Sequence, residues 1–362
     1  MTTRPIIPPQ QIDAPLTRYS IFLVLTVADD GGSVAAVRSA LAGTEDLVKD
    51  VSFRASGAQL SCTVGIGSRV WTRLTGLVQP AELHPFREIA GATHTAVATP
   101  GDLLFHIRAD RHDVCFELER LLVETLGTAT TTVDEVSGFR YFDRRDLLGF
   151  VDGTANPIGP DLPDSTVVGD EDPTFAGGSY VLVQKYTHRL AAWQALTTEQ
   201  QEAIMGRRKA DNVELDDVES GQKAHKTLTT ITDDGEHDIL RDNMPFGSPG
   251  SGEFGTYFIG YSRHLWVIEK MLERMFVGDP PGLHDRLLDF SVAQTGTCYF
   301  VPPAAMLAGL DDVGPAPTSS DEAPGPGPAL AVPPQDAARG TLGIGSLKIP
   351  HPTSTTAGRT PR

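Results

Sequence analysis

The segment GFVDGTANP (149–157) is the most unusual local stretch of this 362-residue chain. It sets one carboxylate, Asp152, among two glycines and an Asn-Pro, a composition that holds backbone close to something else. Asp152 reads either as a turn cap or as an acid–base group. Attack of an aspartate on phosphate also uses an Asp-Gly-Thr, but the nucleophile then stands two positions earlier, and Phe150 occupies that place. A second polar island, 225–262, carries His225, then Arg241 and Asn243 ahead of a Pro-Phe-Gly. A lone histidine serves as a proton carrier, a metal ligand or a plain hydrogen-bonding residue. The chain has 10 histidines and no HxH or HxxxH pair, so spacing alone does not select His225. Arg241 is permanently cationic and suits the stabilisation of negative charge.

Other chemistries are excluded by what is missing. Cys62, Cys115 and Cys298 lie far apart, without CxxC, CxxCH or zinc-type spacing. A disulfide framework, a thiolate metal site and covalent c-type haem attachment are therefore not expected. The net charge of −17 argues against nucleic acid and against an anionic membrane surface. No run approaches the roughly 20 apolar residues of a membrane span. The N-terminus MTTRPIIPPQQIDAP shows no leader pattern, and with the cysteine usage this gives the expectation of a reducing cytoplasm.

The elements that must carry these residues read as α+β. Strands are expected at 19–28, 60–67, 102–109 and 136–142, with helices at 34–48 and 112–127. A second series follows: strands at 179–188, 254–262 and 296–303, a helix around Trp193 and another at 263–276. The segments GDLLFHIRADRHDVCFELERLL and GTYFIGYSRHLWVIEKMLERMF each run strand, short turn, helix, which points to an internal repeat. The economical architecture is two βαββαβ-type units with antiparallel sheets, 1–150 and 151–302. Nine of the 27 prolines fall between Pro302 and Pro334, so 303–340 is expected to be a disordered Pro/Ala/Gly linker. Residues 341–362 differ again: Leu342, Ile344, Leu347 and Ile349 stand among small residues, and every charge is basic.

GFVDGTANP, GGSYVLVQKY (177–186), the AHK around His225, RDNMPFG (241–247) and LLDFSVAQTGTCYFVPP (287–303), in that order, resemble the bacterial B-type dye-decolorizing peroxidases. The resemblance runs from about residue 18 to 303. It implies tandem ferredoxin-like units of the dimeric α/β-barrel superfamily, with haem b bound in the second half. It also implies that His225 is the axial iron ligand, Asp152 the distal acid, Arg241 the distal arginine and Asn243 its hydrogen-bonding companion. Gly153, Thr154 and Ala155 would approach haem through backbone, and Arg207, in the GRRK run, would meet a propionate. Asp289 matches the acid expected behind the histidine. Hydrogen peroxide would be the oxidant; dyes, phenols or other one-electron donors would be the reductants. Trp71, Trp193, Trp266 and the tyrosines are candidate relays, or simply core residues. A homo-oligomer, dimer-based or hexameric, is expected.

The tail LGIGSLKI (342–349) resembles the targeting peptide of encapsulin cargo proteins, which implies a shell-protein partner and a location inside an encapsulin compartment. Residues 350–362 extend past that motif. Two other functions stay open on the same fold: a non-enzymatic haem-handling cargo, and an enzyme that removes iron from porphyrin.

Overall fold

A computed structural model describes residues 8–217, 221–233 and 235–314. Twelve strands are present among them: β1 (Tyr19–Val27), β2 (Ser61–Ile66), β3 (Ile89–Ala90), β4 (Thr95–Ala96), β5 (Leu103–Ala109), β6 (Thr130–Phe139), β7 (Ser179–His188), β8 (Leu240–Arg241), β9 (Met244–Ser248), β10 (Glu253–Ser262), β11 (Ser291–Ala293) and β12 (Thr297–Val301). Ten of them make one sheet, in the order β6-β1-β5-β2-β12-β7-β10-β8, with β11 beside β7 and β9 beside β10. All its pairings are antiparallel.

The order contains the same pattern twice. Counting each half's four main strands in chain order, β6-β1-β5-β2 reads 4-1-3-2, and β12-β7-β10-β8 reads 4-1-3-2 again. That is a duplicated ferredoxin-like arrangement. The halves join where Phe300 of β12 pairs with Ile66 of β2. The sheet also curls until β6 meets β9: an added Cβ on Gly138 would lie 2.4 Å from the Cβ of Met244.

The strand sequences explain the two faces. In YSIFLVLTV, Ile21, Leu23 and Leu25 belong to the core under the helices, while Phe22 and Val24 belong to an inner core shared with Val181, Tyr257 and Tyr299 of the other half. Both faces are apolar because both are covered, so the strand reads as a continuous hydrophobic run. Helices Gly31–Ala42, Thr44–Arg54, His112–Leu126 and Leu265–Phe276 cover the outside. In His112–Leu126, Val114, Cys115, Leu118, Leu122 and Leu126 are buried at helical spacing.

Three expectations change. The 34–48 helix is two helices meeting at Gly43, whose N–H bonds to Ser39 O and closes the first. The last strand of the first half starts at Thr130 instead of 136, because its early residues face outward and are polar. The first residues of the expected linker at 303–340 are folded: Ala304–Ala308 is helical and Gly309–Asp312 is a 3-10 turn. Leu307 and Leu310 are buried there, and Arg38 donates to the carbonyls of Val313 and Gly314. Two apolar contacts and a buried guanidinium outweigh the composition signal. The rest of that segment and the whole of 341–362 lie outside the described residues.

Candidate active site

The GFVDGTANP segment is held from behind by aromatic packing. Trp193 is buried, donates its indole N–H to Leu148 O at 2.9 Å, and packs edge-on against Phe150 and Phe290. The chain then turns sharply. Gly149 and Gly153 have φ of +96° and +71°, values that an L side chain seldom takes.

Asp152 leaves this turn with its carboxylate already engaged. Oδ1 accepts the Gly153 N–H at 2.6 Å, and Asn243 Nδ2 donates to Oδ2 at 3.0 Å. Asn243 is itself fixed, since its Oδ1 accepts the Ile259 N–H of β10 at 3.0 Å. Arg241 sits at the end of β8, two residues before Asn243. Strand alternation puts both on the cleft side, while Asp242 between them is buried against Arg108 on the opposite side. The Nε of Arg241 is buried and has no hydrogen-bond partner among the described residues. An unpaired buried donor is costly unless a ligand or water meets it.

His225 opens the short helix His225–Thr229. Its Nδ1 lies 2.6 Å from Oδ2 of Asp285, whose side chain is wholly buried. A carboxylate accepting at Nδ1 keeps the proton there and leaves Nε2 with a lone pair. The acid behind His225 is therefore Asp285, not the expected Asp289. Asp285 opens the 3-10 turn Arg286–Asp289 and caps it by accepting the Leu287 N–H. That turn carries Asp289 away from His225, onto His94 and His284.

Asp152, Arg241, Asn243 and His225 line one cleft, walled mainly by apolar side chains such as Phe150, Phe258, Ile268, Met271 and Leu272. An outer space shares Asp152, Arg241 and His225 with it and is rimmed by polar residues. Gly153, Thr154 and Ala155 line that outer space, as does Arg207. The Arg207 guanidinium is paired to Glu214 Oε1 at 2.5 Å. His188, also on the inner cleft, has both ring nitrogens engaged, by Ser291 Oγ and Thr256 Oγ1, each at 2.9 Å. Burial lowers it to about 4, so it is neutral near pH 7.

Two cleft-side residues escaped the sequence reading. Asn156 accepts the Arg241 N–H at 3.0 Å and donates to the Arg241 carbonyl at 2.7 Å. Its only sequence signal was the Asn-Pro of the turn. Asp146 accepts the Phe150 N–H at 2.9 Å and is pushed up to about 7, by burial first and the nearby Asp152 charge as well. Nothing in its local sequence marks it.

Comparison with known proteins agrees with this arrangement. The family profile "Dyp-type peroxidase, N-terminal" matches residues 9–140, and "Dyp-type peroxidase, C-terminal" matches 143–306. The dye-decolorizing peroxidase of Mycolicibacterium paratuberculosis is 54% identical, over 95% of this chain and 94% of its own. That of Mycobacterium tuberculosis is 51% identical, over 95% and 98%. Among solved structures, DyPB from Rhodococcus jostii RHA1 is 55% identical with a TM-score of 0.81, covering 83% of this chain and 98% of its own. The encapsulated DyP-type peroxidase from Mycobacterium smegmatis is 53% identical, again with a TM-score of 0.81, covering 86% and 100%. Two family profiles matched in sequence order over most of the chain, with relatives about 50% identical, show that the chain belongs to the dye-decolorizing peroxidase family and is a haem-dependent peroxidase.

Proposed function

We propose that the chain reduces hydrogen peroxide at haem b in the cleft between His225 and the Asp152–Asn243–Arg241 group, and draws electrons from dyes, phenols or similar one-electron donors. The observation that carries this reading is the pairing of His225 with a buried Asp285 on the same cleft that Asp152 and Arg241 line. The residues fit the cofactor. The walls are mainly apolar, and His225 has a ring nitrogen to spare while His188 does not. Variants of the Rhodococcus jostii protein have been solved in complex with heme, which supports the same assignment here.

His225 would hold the haem iron through Nε2, with Asp285 fixing the orientation of the ring. Haem, when bound, supplies the redox chemistry. Asp152 takes a proton from one peroxide oxygen and returns it to the other. Asn243 and the Gly153 N–H hold that carboxylate in one orientation. Arg241 stabilises the negative charge that develops on the departing oxygen. Gly153, Thr154 and Ala155 line the approach through backbone. Arg207 reaches a propionate only by exchanging or sharing its Glu214 partner.

The test is haem absorbance of the purified protein and of His225→Ala, followed by mixing with peroxide. Loss of haem in the variant, with rapid peroxide turnover in the parent, is expected. Full haem retention in His225→Ala would overturn the axial assignment. Haem binding without peroxide turnover would make the protein a carrier.

We further propose that residues 341–362 direct the enzyme into an encapsulin shell. The LGIGSLKI motif and the likeness to an encapsulated relative support this. Co-expression with a shell protein should load the full chain and not one truncated after residue 340. Equal loading of both would refute the proposal and leave the peroxidase reading intact.

A further inference from the structure

Away from the cleft, a second cluster of chemistry-bearing residues has no part in the reaction described above. His94 lies in the loop between β3 and β4, and His284 and Asp289 flank the turn that begins at Asp285. Two segments distant in sequence thus meet. Asp289 Oδ1 is 3.0 Å from His94 Nε2 and 3.1 Å from His284 Nε2. The three atoms lie within 4.8 Å of one another, and the two rings meet edge to face with centroids 4.8 Å apart.

The arrangement is more particular than a surface ion pair. Both imidazoles converge on one carboxylate oxygen, while the other, Oδ2, takes the Arg286 Nε at 2.5 Å. Burial works against the ionised carboxyl, but hydrogen bonds from Arg286, His94 and His284 outweigh it and hold Asp289 down at about 2. The ligating atom is thus anionic and aimed. His284 is also held through its carbonyl, which accepts from Gln222 Nε2 at 2.9 Å. The side chains of His94 and His284 are each 18% exposed, enough for a hydrated ion to enter and too little for free rotation.

We propose that His94, His284 and Asp289 form a binding site for a divalent transition-metal ion, with zinc the best match to two imidazoles and one carboxylate. Zinc bonds of about 2.0–2.2 Å place tetrahedral ligands about 3.3–3.6 Å apart. The observed separations to Asp289 Oδ1 are a few tenths of an ångström shorter, so small outward shifts open the centre. To ligate, each imidazole presents the Nε2 lone pair and carries its proton on Nδ1, any second proton leaving to solvent, and water completes the fourth position. Hard cations such as magnesium or calcium are disfavoured, since they want oxygen donors. The site is separate from the haem cleft, and the Asp285–Asp289 turn lies between them.

The experiment is equilibrium dialysis of the haem-loaded full-length protein against zinc at mildly alkaline pH, with elemental analysis of bound metal. One zinc per chain is expected for the parent and for His237→Ala, a histidine outside the cluster. His94→Ala, His284→Ala and Asp289→Asn should each lose that equivalent. Zinc should also raise the melting temperature of the parent and not of His284→Ala. His94→Gln, which keeps side-chain bulk, guards against loss through misfolding and should lose zinc while melting cooperatively. Absence of bound zinc in the parent, or an equal amount in all variants, overturns the proposal.

Discussion

Asn156 grips both backbone polar groups of Arg241, accepting its N–H at 3.0 Å and donating to its carbonyl at 2.7 Å. The turn that presents Asp152 is thereby tied to the strand that presents Arg241. The two catalytic groups cannot drift apart without breaking this pair of bonds. Asn156→Ala should leave buried backbone groups short of partners, at about 1–3 kcal/mol of stability. It should also lower kcat/KM for peroxide while leaving the ferric haem spectrum unchanged. An unchanged kcat/KM would show that β8 holds Arg241 without help.

Arg241→Leu should slow the reaction with peroxide far more than Asp152→Ala. Removing one preorganised donor at a charged transition state typically costs about 10²–10³ in rate. Asp152 acts as a proton carrier, and water substitutes in part for such a group. Its place is also kept polar by Asn243, which stays anchored to Ile259 in the variant. Stopped-flow mixing with peroxide decides; the reverse order would move the main burden to Asp152.

Activity should fall on the alkaline side with a limb near pH 7. Burial and the charge of Asp152 push Asp146 up to about 7. Below that pH Asp146 is neutral. Above it, a second negative charge appears beside Asp152 and discourages the further charge that peroxide deprotonation brings. Asp146→Asn keeps the acceptor for the Phe150 N–H and should remove or shift the limb. A pH–rate profile identical to the parent would detach Asp146 from the reaction.

Glu119 gives a stability prediction independent of the cleft. It is nearly buried on the inner side of helix His112–Leu126, its Oε1 has no hydrogen-bond partner among the described residues, and burial raises it to about 7 with Glu135 adding. The folded protein therefore keeps a proton that the unfolded chain releases at ordinary carboxylate pH. Between about 4.5 and 7 the folded state binds more protons, so stability drops as pH rises through that window. Glu119→Leu should abolish this slope and stabilise the protein above neutrality by about 1–3 kcal/mol. Parallel denaturation curves for parent and variant across that window would contradict it.

What could be read from residues alone follows from which signals are local. β1 and β7 were legible because burial on both faces leaves an unbroken apolar run. The first residues of β6 were not, because a strand with one polar outer face and few apolar residues resembles a loop. Asp152, Arg241, Asn243 and His225 stood out as members of motifs, and the structure gathers all four on one cleft. Asp285 and Asp289 are four residues apart in HDRLLDF, and both are acids. Only their places on the 3-10 turn, one at its start and one at its end, decide which reaches His225, and composition carries no trace of that. Asp146 and Glu119 owe their character to surroundings supplied by distant segments.

The joining of the two sheets has a consequence for how the chain can exist in pieces. A 4-1-3-2 half cut from its twin would lose the Phe300–Ile66 pairing between β12 and β2, bare the apolar inner face that both halves share, and uncover the flank of β6 that β9 now guards. Such open borders recruit other chains and aggregate. Each half thus acts as the chaperone of the other's margins, although the cleft itself is lined by the second half alone.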